Sequence, residues 1–118
     1  MEAVANEIDV IAGLYTFREA DEVRVFLKRN PFAFDILERT RPEIMRIFGA
    51  HALNVFLEVH YDIEEREESL WIKIQLDLGI DSAEEHLQRF DRECWVKNRN
   101  PFFWSLGADV EFAPSVQA

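Results

Sequence analysis

The chain has 118 residues and a formal net charge of −10, from 23 acidic and 13 basic side chains, and 48% of it is hydrophobic. That suffices for one domain with its own core, in which folding buries roughly two-thirds of the unfolded chain's surface. Ten phenylalanines, three tryptophans and two tyrosines exclude a disordered chain, no apolar run approaches a membrane span, and the acidic balance opposes contact with nucleic-acid phosphates or anionic lipid.

Residues 1–18 show no clear period and read as a mobile N-terminal arm, with Tyr15 and Phe17 pinning its end. Residues 19–118 read as a single α+β domain. Glu2, Glu7 and Asp9 deny the first segment the basic start of a secretory leader. Asp21 is placed as a helix N-cap, and Val23, Phe26 and Leu27 form one inward stripe behind it. Pro31 predicts a break at Asn30 and a new helix opening at the proline. Ala33, Ile36, Leu37, Ile44 and Phe48 carry that second helix, which Pro42 should kink or restart. Gly49 is expected at its C-terminus with positive φ.

The period then changes from 3.6 to 2. Leu53, Val55, Leu57 and Val59 alternate with Asn54, Phe56, Glu58 and His60, and Leu70, Ile72, Ile74 and Leu76 alternate with Trp71, Lys73, Gln75 and Asp77. Two half-buried strands at about 52–60 and 69–77 follow, joined by an acidic hairpin tip. Ser82 and Glu85 have capping-box spacing, and Ala83, Leu87, Phe90 and Cys94 form one stripe of a third helix. Val110 and Phe112 face inward on a last strand at about 108–113. This order predicts an α+β fold: N-terminal helices, a β-hairpin, a helix and a strand. The sheet is expected to be three-stranded and antiparallel in the order 2-1-3, with the helices mainly on one face.

The stretch from Asn54 to Phe112 resembles a family of small uncharacterised prokaryotic α+β proteins. The resemblance rests on the strands FLEVHYD and LWIKIQLD, the helix SAEEHLQRFDRECW and the closing GADVEF, with FDRECW (Phe90 to Trp95) its most specific part. The family usually has a second aromatic where this chain has Cys94. The resemblance implies a small α+β protein and brings no activity, cofactor or catalytic residue.

The chemistry-bearing residues form no recognised set. No His-x₃-His, Cys-x₂-Cys or His-Glu-x-x-His spacing occurs, so no metal and no other cofactor is expected. The run Asp62, Glu64, Glu65, Glu67, Glu68 lacks the glycine and spaced ligands of a calcium loop and reads as a solvated tip. Cys94 continues an apolar stripe and reads as a buried, inert thiol, about 12 Å along the helix from His86 by the 1.5 Å rise. His60, His86, Asp91 and Cys94 are the only candidates for a polar site, scattered along the chain.

Large aromatics outside a small core mark interaction surfaces. The candidates are Phe56 and Trp71 on the outer sheet face, with Phe102, Phe103 and Trp104 before the last strand. The expected function is a noncatalytic cytoplasmic interaction or regulatory module, such as an antitoxin-like partner of a basic protein, with self-association into a homodimer as another use of the same patch. A lone cysteine agrees with a reducing compartment. The alternative is a small enzyme whose site gathers His60, Asp91 and Cys94. A nucleic-acid mimic is disfavoured, because Arg24, Lys28, Arg39, Arg41, Arg46, Arg89 and Arg92 lie among the acids.

Overall fold

A computed structural model describes residues 2–99 and 105–113. Phe102, Phe103 and Trp104 therefore lie outside the described residues. Helix α1 spans Glu2–Leu14. It buries Ile8 and Ile11, and Tyr15 follows them into the core. The Tyr15 hydroxyl donates to the Leu37 carbonyl at 2.8 Å, and Arg41 Nε donates to the Leu14 carbonyl at 2.8 Å. The segment expected as a mobile arm thus carries part of the core. Val10 sits on the solvent side of α1, and its apolar character blurs the period that marks the helix.

Thr16–Phe17 form the short strand β1. Helix α2 spans Ala20–Arg29, and its N-cap is Glu19 at φ 50°, so Asp21 lies in the first turn instead of capping it. Helix α3 spans Ala33–Phe48 and runs unbroken through Pro42. Pro31 precedes α3 in a turn, two residues before the place expected of it. Gly49 ends α3 at φ 57° and donates its N–H to the Met45 carbonyl, a backbone that suits glycine.

Strands β2 (Ala52–Asp62) and β3 (Glu67–Leu76) form the expected hairpin. The register shifts between Ala52 and Asn54, which leaves Leu53 46% exposed although its alternation had placed it inward. Helix α4 spans Ile80–Phe90, a π-helical turn covers Asp91–Trp95, and α5 covers Val96–Arg99. Gly79 occupies the N-cap of α4, so Ser82 and Glu85 lie inside the helix and make no capping box. The wider π turn lets the consecutive Cys94 and Trp95 both face the core. Trp95 is fully buried there. Strand β4 spans Leu106–Phe112.

The fold is α+β, but among the described residues the sheet has four strands and is mixed, in the order β1-β2-β3-β4. β1 runs parallel to β2, β2 antiparallel to β3, and β3 parallel to β4. The expected three-stranded antiparallel sheet of order 2-1-3 is therefore corrected. Its last strand was to lie beside β2, but β1 occupies that flank. After β3 the chain returns through α4 and α5, which brings β4 up alongside β3 in the same direction.

Residues of one parity on the strands face the helices. Leu57, Leu70, Ile72, Ile74, Leu76 and Leu106 are buried there with Leu27, Leu37, Ile44, Phe48 and Phe90. Leu87, expected deep in the core, is only partly buried at its margin. α2 and α3 pack on β2, and α4 packs on β4. Among the described residues no helix is long and apolar enough to cross a membrane.

Phe90 sits between Phe48, ring centroids 5.9 Å apart, and Trp95, stacked at 6.0 Å. Replacing Phe90 by Ala removes this contact from a packed site and should cost about 3–5 kcal/mol of stability. A denaturant melt measures the loss, and a value below about 1 kcal/mol would place the ring outside the core.

Candidate functional site

The strand residues of opposite parity form a second sheet face, where every residue is intermediate in exposure from Phe56 to His60 on β2 and from Ser69 to Gln75 on β3. The register sets Glu58 opposite Trp71 and Phe56 opposite Lys73. Phe56 and Trp71 are thus diagonal neighbours on this outer face, as the alternation had placed them.

Trp71 lies against Gly107 on β4. A Cβ built at residue 107 would fall 2.6 Å from the indole ring, so only glycine leaves room for it. His60 stacks on the same indole with centroids 5.3 Å apart and planes 19° from parallel. Lys73 Nζ stands 5.1 Å from the ring centroid, and the indole N–H donates to Ser69 Oγ at 2.9 Å.

Arg18 organises the other half of the face. Its guanidinium carbon lies 3.8 Å from the Phe56 ring centroid. Nη1 donates to Glu58 at 2.7 Å and to Glu111 at 2.6 Å, while Nη2 donates to the second Glu111 oxygen at 2.7 Å. Glu58 also pairs with His60 Nε2 at 2.5 Å. The bonds from Arg18 hold the Glu111 carboxyl below the usual carboxylate range. Partial burial works against the Glu58 charge, yet its bonds from Arg18 and His60 outweigh that and lower it too. Arg18 is correspondingly raised, first by its bond to Glu111. None of these three residues was singled out from sequence as part of a site. Alternation puts Glu58 and Glu111 on the outer face, but nothing local signals that Arg18 reaches them.

At the hairpin end the face opens into a shallow depression of about 540 Å³, whose lining includes His60, Ser69, Trp71, Tyr61 and Ile63. Ile63 is 80% exposed. Asp62 Oδ1 accepts the amides of Glu64 and Glu65 at 2.9 and 3.1 Å, so this carboxylate shapes the turn.

The other candidate residues are not brought together. His60 is on the outer face. His86 lies on the helical side, stacked on Phe48 at 5.9 Å, with Nδ1 bonded to the Ser82 carbonyl at 2.7 Å. Asp91 begins the π turn. Cys94 is buried, and Asn98 Nδ2 donates to its sulfur and to Thr40 Oγ1, each at 3.1 Å. Burial pushes the Cys94 thiol up to about 11, so it stays protonated at neutral pH. Among the described residues no group of three His, Cys, Asp or Glu side chains is placed to hold a metal ion.

Comparison with known protein families, with characterised proteins and with solved structures finds no match to this chain. The site is therefore read from its geometry.

The lowered carboxyls of Glu58 and Glu111 make a prediction about acid. Their stabilisation is complete above the ordinary carboxylate range and is lost as the pH falls through their depressed native values. Arg18→Met removes the partner from both, and at neutral pH should cost about 1 kcal/mol, because water screens this half-exposed cluster. Denaturant melts from neutral to acid pH should show the gap between wild type and variant closing as the carboxyls protonate. A gap that stays constant with pH would mean that Arg18 acts by packing on Phe56 alone.

Proposed function

We propose that the protein is a noncatalytic binding module that takes a protein partner of basic character on its outer sheet face. One observation carries this reading. The helices cover one side of the sheet, and the other keeps a depression in which Ile63 and Tyr61, 80% and 59% exposed, stand beside the half-exposed Trp71. Apolar groups in such a place gain most from being covered by another surface.

Charge supports the nature of the partner. The chain carries −10 overall, and Asp62, Glu64, Glu65, Glu67 and Glu68 surround the hairpin end. These carboxylates speed encounter with a basic surface and repel a second copy of the chain. A basic partner is therefore preferred over the homodimer. A cytoplasmic setting belongs to the same proposal, as does the kinship of residues 54–112 with small prokaryotic α+β proteins, which assigns no activity.

The test is co-purification from the native cell followed by mass spectrometry of what is retained. Trp71→Ala combined with Ile63→Ser should weaken the captured complex about tenfold or more while thermal unfolding stays cooperative. Equal capture by wild type and variant would move the interface elsewhere on the molecule.

A further inference from the structure

The flank of β2 holds a second feature, which shares Tyr61 with the depression on the outer face. β1 pairs with β2 only at Thr16↔Phe56 and Phe17↔Leu57. The Leu57 carbonyl accepts the Arg18 amide at 2.9 Å, so the main-chain groups of Leu57 point toward β1. Along a strand every second residue points its N–H and C=O to the same side. Those of Val59 and Tyr61 therefore point into the lane that β1 would occupy if it continued. The chain instead leaves that lane at Glu19, where φ is 50°, and enters α2. Among the described residues no strand runs beside Val59 and Tyr61.

This vacant lane opens into a cleft of about 370 Å³ between α2 and the hairpin. Val25, Val59 and Tyr61 give it an apolar lining, with Val25 and Tyr61 substantially exposed. Asp21, Glu22 and Glu68 contribute carboxylates, and among the described residues Arg29 is the one cation of the lining, 3.6 Å from Glu68. The cleft thus combines a strand edge unpaired among the described residues, an apolar wall and an excess of negative charge.

We propose that this cleft binds an extended, lysine- or arginine-bearing segment of a partner protein, which adds to β2 as a strand in line with β1. The partner's main chain exchanges hydrogen bonds with Val59 and Tyr61. Its side chains on the helix side meet the apolar wall and the carboxylates of Asp21, Glu22 and Glu68, and the alternate ones point to the outer face. A second copy of this chain is a poor occupant because both surfaces would bring net negative charge. The inference does not depend on the outer face binding anything.

The test uses the full chain and a blocked peptide of about six residues alternating valine with lysine, a length that spans the open edge. Amide hydrogen exchange followed by NMR should show Val59 and Tyr61 slowing about tenfold or more at saturating peptide. Methylating the peptide's alternate backbone nitrogens should abolish the effect, since it removes strand bonds and keeps the charge. Glu22→Gln with Glu68→Gln, both at exposed positions, should weaken binding roughly three- to tenfold. Trp71→Ala should leave it unchanged, which separates this cleft from the outer face. Three results would each overturn the proposal. They are no binding at millimolar peptide, binding that leaves both amides unprotected, and the same protection arising without peptide as protein concentration rises.

Discussion

Arg18 ties the two edges of the sheet together across its uncovered face. It stands at the end of β1, lies over Phe56, bonds Glu58 on β2 and reaches Glu111 on β4. The need for such a residue follows from topology. Both parallel pairs require crossovers, and the helices that make them pack on the inner face of the sheet. Among the described residues no layer covers the outer face, and its polar groups satisfy one another. A guanidinium suits the task because its planar fork serves two carboxylates while its flat face rests on an aromatic ring. Trp71 solves the same problem in its own way, leaning on Gly107 and carrying His60 on its ring. The outer face is consequently built before any partner arrives.

That organisation bears on function. A surface whose charges are already paired and whose aromatics are already seated loses little freedom on binding. Within the cluster Glu58 is shared by Arg18 and His60. Cys94 sits on the other side of the sheet, beneath α3 and beside Asn98, with its thiol held protonated by burial. His86 is engaged with Phe48 and the Ser82 carbonyl. His60 thus lies on one face of the sheet, and His86 and Cys94 lie on the other.

Much of this was legible in the chain. Alternation in 53–60 and 70–77 located the hairpin and sorted its residues to two faces, which put Phe56 and Trp71 on the outer side. Helical spacing found α2, α3 and α4, and Pro31 and Gly49 marked their limits. The errors have physical causes. Strand β1 is two residues long, too short to show a period, yet it fills the flank of β2 and so decides where β4 goes. Helix α1 was hidden because Val10 faces water. Trp95 became core because a π turn shifts the helical phase by one residue, a change that a regular wheel does not contain. Arg18 was missed because its partners lie 40 and 93 residues away.

Among the described residues the outer face is open to solvent, while the opposite face of the same strands is sealed. NMR relaxation by a soluble paramagnetic agent measures this directly, proton by proton. Strong enhancement is expected at the side chains of His60, Ile63, Trp71 and Lys73, and little at Leu57, Ile72 and Ile74. Enhancement at Trp71 and Lys73 as weak as at Ile72 would contradict it, because it would show the outer face covered and its aromatics unavailable to a partner.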